Sequence, residues 1–285
     1  MLTRHSRRVA TIFGVSILAV TSAPRCAIAQ RGALSATADS TARQTSVFTG
    51  RDAITAAVFV LGTAAVMPLD RHIAEQSQQP GLQNNTVLSH AATTIRDIGE
   101  PGSIVLAGAT YIYGRAQDSP ASAELGLRTI ESIGAAGITT YIIKGFAGRA
   151  RPFVTSDTNS HDFKFARGFR QDDYTSFPSG HVTIAFAAAS TASEEISYLW
   201  PHASHLWTPA LYTVASLVGV ARVYEDKHWA SDVVAGAAVG VLVSRVVVRY
   251  QRLHPRNALD RWLLPTSISP SNDARSMALN WSFQF

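Results

Sequence analysis

The residues able to do chemistry fall into three short clusters. Lys144 and Arg151, the latter followed by Pro152, stand seven apart. On a helix that is nearly two turns and ~10 Å of rise, so both side chains leave from one face and can converge on one anion. The same pair would also suit a helix C-terminus, where cations complement the dipole. Phe177-Pro178-Ser179-Gly180-His181 comes next, directly before the apolar run 182–189. Ser179 has the character of an N-cap, and Gly180 lets backbone approach a ligand closely. Free amides at such a helix start attract phosphate, and His181 is carried to the same place. A cap beside an incidental histidine is the plainer alternative.

The third cluster is Arg222, His228 and Asp232. His228 and Asp232 are one helical turn apart, so the carboxylate can accept a hydrogen bond from one imidazole nitrogen and leave the other free to attack. Arg222 adds a permanent charge with the fork geometry that suits phosphate oxygens. Taken alone, an i,i+4 pair of this kind also occurs as a surface hydrogen bond.

These side chains need rigid elements to hold them, and the apolar pattern supplies helices. Helical spacing predicts elements near 52–67, 84–98, 102–114, 121–148, 179–197, 206–224 and 229–252. The second shows the pattern most clearly, with Val87, Leu88, Ala91, Ile95 and Ile98 on one face. Glu100-Pro101-Gly102 separates the second from the third, and Pro152 stops the fourth. The chain is therefore expected to be all-α, a bundle of six to seven helices over residues 51–252. Period-2 alternation is confined to the C-terminal tail, 253–285. There Met277, Leu279, Trp281, Phe283 and Phe285 alternate with polar or small residues, and 263–268 is the expected partner strand of a β-hairpin.

Lys-x6-Arg-Pro, Pro-Ser-Gly-His and Arg-x5-His-x3-Asp, in this order between Lys144 and Asp232, resemble the type 2 phosphatidic acid phosphatase (PAP2) superfamily, which also contains bacterial acid phosphatases and vanadium haloperoxidases. The resemblance implies that His228 is the nucleophile, forming a phosphohistidine, and that Asp232 orients it. It implies that His181 protonates the leaving oxygen and then activates water, and that Lys144, Arg151, Arg222, Ser179 and Gly180 hold the phosphoryl oxygens. No metal or other cofactor is implied. The third motif of the family usually begins Ser-Arg; here Ala221 stands in place of the serine, which removes one hydroxyl and leaves both histidines and every cation. The implied activity is hydrolysis of phosphate or pyrophosphate monoesters, with lipid phosphates favoured by the apolar helices. Two alternatives share the fold: a vanadate-dependent haloperoxidase, and a phosphate-binding scaffold without turnover.

Composition supports a folded, exported chain. With 46% hydrophobic and 16% charged residues it cannot be disordered over most of its length. The net charge of +5 is misleading. Residues 1–29 hold Arg4, Arg7, Arg8, Arg25 and no acid, so their removal lowers the basic count from 25 to 21 against 20 acids. That near-neutral remainder removes most of the support for a nucleic-acid binder, which needs a basic stripe. Basic residues, a short apolar stretch and Ala27-Ile28-Ala29 read as a signal peptide with a mature start at Gln30. Export places the protein in the periplasm or on the outer side of a membrane. The single cysteine, Cys26, lies in that signal, so neither a disulfide nor a thiolate metal site is available. Residues 30–50 read as a flexible linker.

Membrane insertion is closely balanced. Residues 53–69 form an uncharged run of 17 residues, short of the ~20 a span needs, and later runs carry Glu131, Glu194, Glu195 or Asp232. A soluble or surface-attached bundle is marginally favoured. His72 and His90 read as structural or exposed, and His202-x2-His205 as a weak metal pattern without an acidic partner. The segment 157–173 reads as a solvated loop, with a lining of the pocket mouth that selects the leaving group as the alternative, and Arg149 as pointing away from Arg151.

Overall fold

The computed structural model describes residues 46–254 and Leu263. The expected signal peptide, most of the linker and the C-terminal hairpin lie outside the described residues. Thr49 holds the N-cap position of the first described helix, and its amide donates to Asp52 Oδ2 at 2.8 Å.

Among the described residues, seven helices of 12 residues or more form the bundle, with two shorter ones between the first and the rest. They are α1 (Gly50–Val66), α2 (Asp70–Ser77), α3 (Pro80–Gln83), α4 (Thr86–Asp97), α5 (Ser103–Ala116), α6 (Pro120–Ala147), α7 (Gly180–Leu199), α8 (Pro201–Tyr224) and α9 (Ala230–Leu253). Local chemistry explains their starts. Asn85 Oδ1 accepts from the amides of Val87 and Leu88 at 3.0 and 3.2 Å, which caps α4. Prolines begin α6 and α8, where the missing N–H costs nothing. Gly148, at φ +53°, ends α6 in the left-handed region, and a Cβ there would lie 2.0 Å from the Lys164 carbonyl oxygen. The chain thereby reverses into the 149–176 segment, which returns to the start of α7. Sequence periodicity missed α2 and α3, which are too short to register a pattern.

α7 is the central helix, packed against α6, α8 and α9. Its neighbours come close because the contact residues are small. Ala185, Ala189, Ala215 and Val218 form one buried cluster, and Ile133, Ala136 and Ala187 another. Gly236 and Gly240, one turn apart on α9, lie against α7 backbone. A Cβ at either would stand 2.6 Å from Ser179 O or 2.5 Å from Thr183 O. Thr183 Oγ1 bonds across to the Gly236 carbonyl at 3.1 Å and receives a bond from Thr140 at 3.0 Å.

Two of the four acids that weighed against membrane insertion, Glu195 and Asp232, turn inward. Glu195 is fully buried and paired with Arg128 at 2.9 Å and Arg252 at 3.0 Å. Asp232 is buried against Arg149. The outer faces are apolar instead, with Ile54, Val58, Val60 and Leu61 of α1, Leu106 of α5 and Leu206 and Val220 of α8 all exposed. Three helical stretches, Gly50–Ser77, Pro201–Tyr224 and Ala230–Leu253, are long and apolar enough to cross a membrane. This outward apolar surface reverses the marginal preference for a soluble bundle; interior acids with partners do not argue against a bilayer.

Candidate active site

The polar clusters are brought together by helix ends. Lys144 lies in the last turn of α6, Ser179 and Gly180 begin α7, Arg222 lies in the last turn of α8, and His228 precedes α9. Antiparallel neighbours put these four ends at one end of the bundle, so all eight expected site residues share it.

Lys144 and Arg151 converge on Thr175. The Lys144 ammonium donates to the Thr175 carbonyl, and Arg151 Nη2 donates to Thr175 Oγ1 at 3.0 Å. Lys144 runs along the α7 N-terminus, its Cε 3.5 Å from where a Gly180 Cβ would sit. Ser179 occupies the N-cap position, yet its hydroxyl makes no capping bond. Ser179 Oγ, Arg151 Nε and Arg222 Nε are buried polar atoms without a hydrogen-bond partner among the described residues. Such groups are costly unless something satisfies them, and a tetrahedral oxyanion between them would do so. The Arg222 guanidinium is otherwise held by Glu225, which also pairs with Arg96 at 3.1 Å.

His228 is buried, and its Nδ1 bonds the Ser176 carbonyl at 2.7 Å. This corrects the expected hydrogen bond to Asp232, whose Oδ2 lies 3.8 Å from Nδ1. The carboxylate is already engaged: Asp232 Oδ2 accepts from Ser176 Oγ at 2.5 Å and from the Trp229 amide at 2.9 Å, and Oδ1 pairs with Arg149. Ser176 and Asp232 together grip the Nδ1 edge, so Nε2 is the nitrogen left to react. Burial of the ring pushes its pKa down to about 3, with Lys144 and Arg151 adding to the effect and Asp232 opposing it. His228 is therefore neutral near neutral pH, with a lone pair available.

Four site features were not visible in the sequence. Arg149 does point away from the anion site, but into a buried hub, donating to Asp232, to Asp70 at 2.7 Å and to Ser231 Oγ at 2.8 Å. Asp70 also accepts from the Ser231 amide at 2.8 Å. Ser176 supplies two of the contacts around His228 and Asp232. Glu100, read only as part of a helix separator, lies 3.4 Å from His181 Nδ1.

The 157–173 segment is anchored at its base by Arg167, which donates to the Gly148 carbonyl at 2.7 Å and pairs with Asp162 at 3.1 Å. Beside it, an apolar cavity of about 570 Å³ opens between α1, α6 and α9, lined by Phe59, Met67, Ile143, His161, Phe177 and Pro178. Phe177 and Pro178 lead directly into Ser179. No three His, Cys, Asp or Glu side chains gather as a metal-binding group among the described residues. Nothing in the structure explains the alanine at 221, which is buried.

Residues 125–256 match the PAP2 superfamily, and this stretch contains all eight site residues. The segment that holds the site thus resembles a PAP2 domain. A lipid A 1-phosphatase of Porphyromonas gingivalis is 42% identical over 86 residues, which are 29% of this chain and 18% of that protein. One from Rhizobium johnstonii is 33% identical over 133 residues, 45% of this chain and 50% of that protein. The chain thus spans half or less of the length of these two curated relatives. The crystal structure of a transmembrane PAP2 type phosphatidylglycerolphosphate phosphatase from Bacillus subtilis superposes with a TM-score of 0.54 at 20% identity, covering 73% of this chain and 99% of that one. The PAP2 fold accordingly extends beyond the matched segment into the earlier helices.

Proposed function

We propose that this chain is an exported, membrane-embedded phosphatase that removes phosphate from lipid phosphate monoesters through a phosphohistidine on His228. The observation that carries the reading is the placement of a cationic, imidazole-bearing site at the ends of apolar helices, where a lipid headgroup would meet it. The lipid A 1-phosphatases among the relatives support the same substrate class. The apolar cavity beside Phe177 and Pro178 offers an acyl chain a place next to the phosphate.

In the first step His228 Nε2 attacks phosphorus, the ester P–O bond breaks, and His181 gives its proton to the leaving oxygen. In the second, neutral His181 takes a proton from water, the water oxygen attacks phosphorus, and the P–N bond breaks to release inorganic phosphate. A phosphomonoester carries about −1.5 to −2 charge at neutral pH. Lys144, Arg151 and Arg222 match it and hold the equatorial oxygens as charge redistributes, so no metal is required for that task. Asp232, fixed by Arg149 and Ser176, stabilises the positive charge that develops on His228.

The test is phosphate release by the purified protein in detergent from phosphatidate, polyprenyl pyrophosphate, lipid A 1-phosphate and p-nitrophenyl phosphate, with and without a chelator. Release from lipid substrates that survives chelation and is lost in His228→Ala is expected. No release from any substrate, or release abolished by chelation, would overturn the reading.

A further inference from the structure

We propose that Glu100 is a positioning residue for His181, gripping the imidazole at Nδ1 so that Nε2 faces the leaving oxygen, and sustaining the imidazolium that donates the proton. This rests on the phosphatase reading above and adds a residue that lies outside the PAP2-matched segment.

The geometry sets two carboxylate–imidazole pairs around one anion site. Asp232 stands behind His228, and Glu100 Oε2 stands 3.4 Å from His181 Nδ1. Glu100 reaches this place because its backbone leaves the helical conformation, at φ −150° and ψ 119°, within the Ile98–Gly102 segment between α4 and α5. The side chain turns inward across the start of α7.

Charge gives the placement its meaning. A carboxylate beside an oxyanion site repels the substrate, so it is unfavourable there unless it serves another group. Burial opposes protonation of His181 most, and Arg222, Arg96, Lys144 and Arg151 add to it, so that its pKa is pushed down to about 4. An acid catalyst must carry a proton in that setting, and Glu100 is the anion in contact with it. Burial raises the Glu100 pKa and outweighs Arg222 and Lys144, which hold it down. With Nδ1–H directed to Glu100, the tautomer is fixed and the proton on Nε2 is the one transferred.

The experiment compares Glu100→Gln and Glu100→Ala with the unmodified protein in detergent. Turnover is followed against pH on p-nitrophenyl phosphate, whose leaving group departs as an anion, and on an alkyl phosphate, whose leaving oxygen needs a proton. Glu100→Gln keeps the side-chain volume and guards against a folding defect in the alanine variant. The expected result is a kcat loss of ~10–100-fold on the alkyl ester and under about threefold on the nitrophenyl ester, within the range general acid catalysis commands. KM should be unchanged or lower, since a negative charge has left the anion site. The high-pH limb of kcat, where His181 loses its proton, should move to lower pH, because removing the anion destabilises the imidazolium. Equal losses on both esters with an unmoved limb, or no loss at all, would overturn the role of Glu100 while the phosphatase reading stands. An unmodified protein without turnover would overturn both.

Discussion

Arg149 and Asp232 form an ion pair in which neither side chain reaches solvent, directly behind His228. The pair links the helical scaffold to the imidazole proposed as the nucleophile. Arg149 also holds Asp70 from α2 and Ser231 from α9, so one guanidinium ties together the 149–176 segment and two helices. Phe163 and Trp229 rings pack over it at 4.9 and 5.6 Å.

Removing that guanidinium leaves two buried carboxylates uncompensated. Arg149→Met should cost about 3–5 kcal/mol, the range for breaking a buried pair, and lower Tm accordingly. Arg149→Lys keeps the charge but not the fork, and should fold with kcat reduced and KM little changed. Thermal unfolding in detergent together with steady-state kinetics checks both; a Met variant of unchanged Tm would refute the role of the hub.

The three cations have separable consequences. Lys144→Ala, Arg151→Ala and Arg222→Ala should each lower kcat/KM by roughly 10²–10³-fold, the scale of losing one donor to a transition-state oxyanion. Vanadate, which adopts the same trigonal geometry, should inhibit the parent protein competitively and the variants far more weakly. Inhibition curves measured alongside kcat/KM decide this.

Stability should depend on pH through His228. In the unfolded chain this histidine takes up a proton as pH falls through its ordinary value of 6.5, whereas in the folded protein it does so only near 3. Between those values the unfolded state binds more protons, so stability falls as pH drops from about 6.5 toward about 3. His228→Asn should flatten that slope. Tm measured across the window in the two proteins gives the difference directly.

Gly236 tests the fit between helices. A methyl group there would stand 2.6 Å from the Ser179 carbonyl oxygen, which belongs to backbone and cannot swing aside. Gly236→Ala should therefore push the start of α7 away from α9, cost about 1–3 kcal/mol by overpacking, and lower kcat more than KM. Gly134, with open space where a Cβ would sit, is the matched control and should accept alanine with little change.

How much of this was legible in the sequence follows the range of the interactions. The seven long helices were readable because their apolar spacing is local, and the three motifs because each lies on a helix end whose neighbours in sequence are its neighbours in space. Glu100 and Asp70 were hidden because their partners are distant in the chain: His181 lies 81 residues from Glu100, and Ser231 lies 161 residues from Asp70. The His228–Asp232 contact was placed correctly by helical spacing, but its geometry was not. Spacing cannot reveal that Arg149, Ser176 and the Trp229 amide already occupy the carboxylate. The acids counted against a membrane span show the same limit: a sequence displays Glu195 as a charge, and only the fold supplies Arg128 and Arg252 beside it.

The central claim is a covalent bond between phosphorus and His228 Nε2, and rapid acid-free quenching of the protein with a phosphorus-labelled substrate tests it most directly. The account predicts an alkali-stable, acid-labile label that maps to the peptide holding His228, is absent from His228→Ala, and accumulates in His181→Ala on a substrate whose leaving group needs no proton. Steady turnover with no label, or a label that persists in His228→Ala, would contradict it.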